Sequence, residues 1–168
     1  MVAVVLALSG PSGVGKSTLA RELQRILACT VRVICQDSFF STPRPPSYWD
    51  CENKETPAAI DMHRLRTAIV EERARLDAAA SAPALLIVEG FLLLQDAQIM
   101  AGVDCVLFVA ARRAECLQRR LGRSLRSEHE NEGCRVYYEA EVWPAFERQT
   151  LPALAALVRA GSTPLAVL

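Results

Sequence analysis

Apolar residues along this chain gather in short continuous runs, and longer stretches of mixed polarity separate these runs. Continuous apolar runs that are rich in β-branched residues are typical of strands buried on both faces of a parallel sheet. They lie at residues 2–8, 31–34, 85–88, 103–109 and 165–168. Stretches with the character of helices lie between or after them, at residues 17–27, 58–80, 114–125 and 137–159. This alternation predicts an α/β fold, a doubly wound parallel sheet that is flanked by helices.

Prolines and charged residues mark the segments that connect these elements. We expect Pro144 and Pro152 to interrupt the last helix, because proline removes a backbone hydrogen bond. Several prolines within residues 38–57 predict an irregular loop that binds substrate. The arginine-rich residues 112–136 predict a lid over the site. No internal repeat is present, so we expect residues 1–168 to form a single domain.

Composition and charge narrow the class of partner. The chain has 168 residues, of which 51% are hydrophobic, and its 19 Lys and Arg residues balance 19 Asp and Glu residues. A net charge of zero gives no general attraction for nucleic acid or for an anionic membrane. No apolar stretch approaches the roughly 20 residues of a membrane-spanning helix. We therefore expect a cytoplasmic protein with a small-molecule partner, and the sequence leaves the oligomeric state open.

A phosphate-binding sequence directly follows the first predicted strand. Residues 10–17 read G-P-S-G-V-G-K-S, which fits G-x-x-x-x-G-K-S between a strand and a helix. Backbone N–H groups of such a loop surround phosphate oxygens, Lys16 reaches the β and γ phosphates, and Ser17 binds Mg²⁺. The residues expected to hold ATP are Gly10, Ser12, Gly13, Val14, Gly15, Lys16, Ser17 and Thr18. The pattern predicts a P-loop NTPase fold with ATP and Mg²⁺ as cofactors, but it does not separate a kinase from a GTPase or ATPase.

Two carboxylates follow neighbouring strands and favour a kinase. Asp37 comes directly after the second predicted strand and Glu89 after the third, so both should lie at the ligand-binding edge of the sheet. Asp37 there is placed to take a proton from an acceptor hydroxyl. Glu89 is placed to hold Mg²⁺ through its waters. The structural alternative is that each acid merely caps the segment that follows it.

Arginines are dense on the predicted lid helix. Spacings of three and four residues place Arg119, Arg120 and Arg123 near a common face. Guanidinium groups bind phosphate oxygens in pairs, which suits a lid that closes over ATP. Arg112, Arg113 and Arg126 are equally consistent with a solvated basic surface.

Four motifs in the same order resemble the nicotinamide riboside kinases, within the uridine kinase-like group. They are the phosphate loop, Q-D-S-F-F at residues 36–40, I-V-E-G-F-L-L at 87–93 and V-W-P at 142–144. The resemblance covers nearly the whole chain, and the last three motifs are narrower than the phosphate loop. It implies ATP-dependent phosphorylation of the ribose 5′-hydroxyl of nicotinamide riboside, which gives nicotinamide mononucleotide.

The resemblance also implies roles for individual residues. Asp37 would be the base, Glu89 the metal-associated acid, and Arg119, Arg120 and Arg123 the lid and substrate-facing arginines. The implied catalytic residues are Asp37, Lys16, Arg119 and Arg123, with Ser17 and Glu89 at the metal and Arg120 also on the nucleotide. The implied substrate-binding residues are Asp37, Phe40, Asp50, Glu55, Arg120, Tyr137 and Glu139. A stacked ring and a carboxylate, at Tyr137 and Glu139, would suit a cationic nicotinamide.

The chain departs from this group in two places. The aromatic-Asp pair that usually grips the ribose is replaced by Lys54-Glu55, while Trp49-Asp50 lies slightly earlier. Either Glu55 or Asp50 would then bind the ribose. Relatives also usually continue past the position of Leu168 with a turn near adenine, so adenine contacts would be weaker or supplied differently.

Two other functions stay open at this point. The same fold also phosphorylates uridine, cytidine and other small hydroxyl compounds, and residues 48–57 would decide between these acceptors. The alternative outside the enzymes is a regulatory protein that binds nucleotide without turnover. Asp37 and Glu89 would have no role in such a protein.

Overall fold

A parallel sheet forms the centre of the protein in the computed structural model, which describes residues 2–41, 54–79, 82–123 and 127–168. The strands found in these residues are β1 Val4–Ser9, β2 Thr30–Cys35, β3 Ala84–Gly90, β4 Cys105–Phe108 and β5 Leu165–Val167. They are arranged in the order β2-β3-β1-β4-β5, and every neighbouring pair is parallel. The carboxyl ends of β1, β2 and β3 therefore meet at one edge of the sheet, where ligands bind in such folds.

Helices connect the strands and cover both faces of the sheet. They are α1 Lys16–Ile26, α2 Met62–Ala78, α3 Ala97–Ala101, α4 Arg113–Leu121, α5 Glu128–Tyr137, α6 Trp143–Ala145 and α7 Leu151–Ala160. Short 3₁₀ helices lie at Gln36–Phe39, Pro57–Ala59 and Leu93–Gln95. Among the described residues, no helix combines the length and the apolar character that a membrane crossing requires.

The predicted α/β fold is confirmed, and the differences lie at the ends of elements. The helix expected from residue 58 begins at Met62, because Pro57–Ala59 form a separate 3₁₀ turn. Asp61 then caps α2 by accepting a hydrogen bond from the backbone N–H of Arg64 at 2.9 Å. The helix expected to reach residue 125 ends at Leu121, where Gly122 takes its C-cap position.

Alternating side chains of the central strands pack on opposite faces of the sheet. Leu86 and Val88 of β3 belong to one buried cluster, which includes residues of α2 and α3. Ile87, between them, packs in a second cluster with Leu8 and with Ala20 of α1. Because both faces are covered by apolar contacts, the strands read as continuous apolar runs in the sequence.

The C-terminal helix is continuous rather than broken, which corrects the expected interruption. We call residues 128–160 the long helix; it includes α5, α6, α7 and two π turns, Tyr138–Val142 and Phe146–Thr150. In a π turn each N–H bonds to the carbonyl five residues back, so the turn is wider than in an α-helix. Proline lacks the N–H and its ring crowds the carbonyl four residues back. The π turns that precede Pro144 and Pro152 give each ring the space that a regular α-helix would deny it.

Gly90, at the end of β3, is in close contact with the buried side chain of Gln36. The Gln36 Oε1 accepts a hydrogen bond from the backbone N–H of Leu92 at 3.0 Å, and this contact carries the chain out of β3. A Cβ atom on Gly90 would lie 2.7 Å from the Gln36 Cβ, too close for either backbone to avoid moving. Packing therefore explains why Gln36 and Gly90 occur in the motifs at residues 36–40 and 87–93, whatever role these motifs have in catalysis.

We expect Gly90→Ala to destabilise the protein by about 1–3 kcal/mol, since overpacking of a filled core costs this much. The measurement is the free energy of unfolding in urea. Gly102→Ala is the matched control, because its new Cβ would meet nothing nearer than the Ile99 carbonyl oxygen at 3.6 Å. Equal stability of the Gly90 and Gly102 variants would show that the Gln36 contact is not a constraint.

Candidate active site

The phosphate loop leaves β1 and turns into α1 on left-handed backbone. Gly10, Gly13 and Gly15 have φ angles of 145°, 92° and 108°, a region that other residues rarely adopt. Gly15 is the N-cap of α1 and supplies no side-chain hydrogen bond to the helix. The uncapped helix start and the curled loop offer backbone N–H groups to an anion, as a triphosphate requires.

Lys16 is folded onto this loop. Its Nζ donates hydrogen bonds to the backbone oxygens of Gly10 at 3.0 Å and Pro11 at 3.1 Å. Removal from water lowers the pKa of Lys16, and the negative charges of Asp37 and Glu89 oppose that change. The ammonium group is thus positioned beside the loop with both predicted carboxylates close enough to act on it.

The two carboxylates meet at the edge of the sheet as predicted, in different surroundings. Glu89 lies in β3 with 4% of its surface exposed, whereas Asp37 is exposed in the 3₁₀ turn after β2. Cys35, paired in register with Glu89, lies beside both acids. Burial, followed by the charges of Glu89 and Asp37, raises the pKa of the Cys35 thiol to about 12.

Oxygen donors at this edge fit a magnesium ion. Ser17 is exposed in the first turn of α1, and Glu89 lies near the carboxyl end of β3. A hydroxyl and a carboxylate are the hard ligands that Mg²⁺ prefers, and the phosphates and waters supply the remainder. The chemistry of Ser17 and Glu89 thus fits the magnesium role that the sequence predicts for them.

Helix α4 packs directly on the phosphate loop and brings two of the predicted arginines to it. The Arg119 Nη1 donates to the backbone oxygen of Val14 at 2.8 Å, and the Arg120 Nη1 donates to the Ser12 Oγ at 2.6 Å. Arg123 lies close enough for its charge to lower the pKa of Lys16, after the larger effect of burial. All three arginines of the predicted common face are therefore near the loop.

Apolar contacts hold the same interface together. Val14 of the loop and Cys116 of α4 form a buried cluster with Tyr138 and Val142 of the long helix. Tyr138 is fully buried, and burial raises the pKa of its hydroxyl further above the ordinary tyrosine value. The loop, α4 and the long helix are thus packed as one unit around the loop.

Glu55 is a buried carboxylate beside the loop. Only 6% of its surface is exposed, and burial raises its pKa, while the charge of Arg120 and a hydrogen bond from Tyr137 act in the opposite direction. The Tyr137 hydroxyl lies 3.5 Å from the Glu55 Oε1 and accepts a hydrogen bond from the Lys54 backbone N–H at 3.2 Å. The structure therefore brings Glu55, Tyr137 and Arg120 together, as the sequence predicts.

A narrow cleft lies between the phosphate loop and the long helix. Its enclosed space is about 10 Å³, room for one water molecule, so its walls would have to move apart to admit a ribose. Its walls are mostly apolar, and Glu55 is the only carboxylate that lines it within the described residues. The lining residues are Pro11, Ser12, Glu55, Phe91, Leu92, Val142, Ala145, Phe146 and Thr150.

The other predicted binding residues do not line the cleft or lie outside the described residues. Glu139 is exposed on the long helix, where its charge acts on Arg135 rather than on the cleft. Phe40 is half-buried, with the Lys54 Nζ 5.6 Å from the centre of its ring. Thr18 is exposed on α1. Asp50 lies outside the described residues.

Two polar residues next to each other at the cleft were missed by sequence reasoning. The Gln149 Nε2 donates to the backbone oxygen of Glu55 at 3.1 Å. The Thr150 Oγ1 donates to the backbone oxygen of Phe91 at 3.1 Å and accepts from the Gln95 Nε2 at 3.0 Å. The one available signal was the pair of prolines in the long helix, because a helix that tolerates proline has to change its hydrogen bonding.

Comparisons with known proteins identify the family of the chain. The AAA_18 family, described as an AAA domain, matches residues 6–138. A protein named uridine kinase from Chlamydia pneumoniae is 24% identical over 154 residues, which is 80% of this chain and 69% of the relative.

Solved structures show the same fold at low identity. A protein from Silicibacter sp. TM1040, described as a proposed fructose transport system kinase, superposes with a TM-score of 0.67 at 21% identity. That match covers 88% of this chain and 86% of the other. A possible uridine kinase from Bacillus stearothermophilus gives a TM-score of 0.52 at 18% identity and covers 84% of both chains. The chain therefore belongs to the AAA_18 family of AAA domains, and its α/β fold is that of the P-loop kinases.

Proposed function

We propose that this chain is an ATP-dependent kinase that phosphorylates the ribose 5′-hydroxyl of nicotinamide riboside and so forms nicotinamide mononucleotide. The observation that carries the proposal is the position of one cleft. It opens beside the phosphate loop, with Glu55 on its wall and Asp37 close enough that their negative charges act on each other. An acceptor in this cleft would present a hydroxyl to a phosphate group held by the loop.

The loop and the arginines carry the phosphate end of the reaction. Lys16 and the loop N–H groups hold the β and γ phosphates, and Mg²⁺, when bound through Ser17 and Glu89, neutralises charge on the transferred group. Arg119 and Arg123 lie where guanidinium groups stabilise the charge that develops on the phosphate oxygens. Each of these residues acts by position and charge, which is how catalysis of phosphoryl transfer is achieved.

Asp37 is the proposed general base. It is exposed at the mouth of the site, near Lys16 and near Glu55, and so has access to a hydroxyl that enters the cleft. The carboxylate would accept the hydroxyl proton as the oxygen attacks the γ-phosphate. ADP is left bound to the loop after the transfer, and the phosphorylated acceptor dissociates from the cleft.

Glu55 and Arg120 are the proposed ribose contacts, with Tyr137 beside the base. A buried carboxylate that is not fully neutralised by its neighbours is a strong acceptor for the 2′- and 3′-hydroxyls of a ribose. The Tyr137 ring would offer a stacking surface for nicotinamide. Both roles are proposed because Glu55 lines the cleft, Arg120 contacts Ser12 of its wall and Tyr137 lies beside Glu55.

Uridine or cytidine is the second candidate acceptor. The curated relative from Chlamydia pneumoniae is named uridine kinase. In addition, Lys54 places a positive charge directly before Glu55, which favours a neutral base over the cationic nicotinamide ring. The two acceptors share the ribose and the reaction, so the proposed roles of Asp37 and Glu55 are the same for both.

Asp37→Asn is expected to lower kcat by about 10²–10⁴-fold, because it removes the base and keeps the shape of the side chain. The assay incubates the protein with Mg-ATP and nicotinamide riboside, uridine, cytidine, adenosine or pantothenate, and product is measured by mass spectrometry. ATP affinity, measured by calorimetry, should be nearly unchanged.

The outcomes of this assay separate the proposals. Selective phosphorylation of nicotinamide riboside supports the proposed substrate, and selective phosphorylation of uridine or cytidine replaces it with the second candidate. Wild-type turnover in the Asp37→Asn variant would remove Asp37 as the base. ATP binding without any product would favour a regulatory nucleotide-binding protein.

Glu55 should make acceptor binding depend on pH. Because the pKa of Glu55 is raised, Glu55 becomes protonated at a higher pH than an exposed glutamate does. The KM for the acceptor should therefore rise as the pH falls through this range. Glu55→Gln should give a high acceptor KM that no longer changes over this range.

The same substitution should increase stability, since folding disfavours the ionised form of a carboxyl whose pKa is raised. Thermal unfolding should show a higher Tm for Glu55→Gln near neutral pH, and the gain should shrink as pH falls and Glu55 becomes protonated. Glu22→Gln, a change at an exposed residue of α1, is the control and should alter neither KM nor Tm. A pH-independent KM in the wild type would contradict a role for the Glu55 carboxylate.

A further inference from the structure

The two π turns change which residues of the long helix share a face. On a regular α-helix, Tyr137 and Gln149 would point about 120° apart around the axis. In each π turn, five residues cover the rotation that four cover in an α-helix, as the bonds from Trp143 N–H to the Tyr138 oxygen and from Leu151 N–H to the Phe146 oxygen require. Each such turn removes about 100° of rotation, so the two together change the separation from about 120° in one direction to about 80° in the other.

Tyr137 and Gln149 consequently hold the same short segment at two points. Tyr137 accepts from the Lys54 backbone N–H and lies beside the Glu55 Oε1, while Gln149 donates to the Glu55 backbone oxygen. Gln149 is half-buried, so water competes weakly for this hydrogen bond. Tyr137 thus holds the N–H of Lys54, and Gln149 holds the peptide unit that follows Glu55.

The neighbouring Thr150 fastens the opposite wall of the cleft. It is 2% exposed and donates to the backbone oxygen of Phe91, which directly follows β3. Adjacent residues of one π turn therefore fix the segment with Glu55 and the segment that leaves the sheet. In an α-helix, adjacent side chains point about 100° apart; here Thr150 lines the cleft and Gln149 reaches the backbone of Glu55.

We infer that Gln149 is a positioning residue for acceptor binding: it orients Glu55 toward the hydroxyls of the acceptor through the Glu55 carbonyl group. The inference rests on the proposed function for its consequence in catalysis. Gln149 would then affect the affinity for the acceptor without contacting ATP or the acceptor. Gln149 makes no hydrogen bond to the phosphate loop among the described residues, so nucleotide binding should not depend on it.

Gln149→Leu keeps most of the side-chain volume and removes the donor, and Gln149→Met serves as a second variant if the first does not fold. We expect the acceptor KM to rise about threefold to tenfold, the effect of one hydrogen bond, with kcat and ATP affinity within about twofold of the wild type. Gln98→Leu, at an exposed residue of α3, is the matched control and should change none of these.

A double-mutant cycle tests whether Gln149 acts through Glu55. If it does, Gln149→Leu should raise KM by less than about twofold in a Glu55→Gln background, because there is then no carboxylate to orient. An equal rise in the acceptor KM in the wild-type and Glu55→Gln backgrounds would overturn the inference.

Hydrogen exchange of the amides of Lys54 and Glu55 tests the positioning without any acceptor. Gln149→Leu should speed this exchange about tenfold through local opening, while Gln98→Leu should leave it unchanged. Unchanged exchange in the Gln149 variants overturns the inference even if a kinase activity is found. A wild-type protein that phosphorylates no acceptor overturns the proposed function, and the exchange result then decides the positioning by itself.

Discussion

The close packing of the phosphate loop on α4 is the constraint on which the rest of the site depends. A side chain on Gly10 would collide with the backbone oxygen of Val109, and one on Gly13 with the backbone oxygen of Cys116. Both glycines also have left-handed backbone angles. The loop therefore touches its surroundings backbone to backbone, and this contact fixes where Lys16 and the arginines of α4 lie. A loop held in this way does not have to reorganise when a triphosphate binds, which is the basis of electrostatic preorganisation.

The charges around the loop are close to balance, but their burial is unequal. Lys16, Arg119, Arg120 and Arg123 face three carboxylates, of which Glu55 and Glu89 are buried and Asp37 is exposed. The buried acids suit binding roles in which the carboxylate does not move. The exposed acid suits proton transfer, which ends with a proton that has to reach water.

Residues at strand ends were predictable from the sequence, and residues on the long helix were not. Asp37 and Glu89 follow apolar runs, and parallel strands place their ends at one edge, so their proximity follows from topology alone. The resemblance implies a shared role for Glu139 and Tyr137, yet two steps along a helix lead to opposite sides, and Glu139 is exposed. Gln149 was missed because its direction depends on two π turns, and hydrophobic patterning at a period of 3.6 does not reveal them.

The thiol of Cys35 lies between two carboxylates, and this has a consequence for its reactivity. The thiolate is the form of cysteine that attacks electrophiles and oxidants, and a pKa of about 12 leaves very little of it at neutral pH. Burial, and then the charges of Glu89 and Asp37, therefore keep this half-buried cysteine in its unreactive protonated form. The same surroundings make the sulfur less open to oxidation.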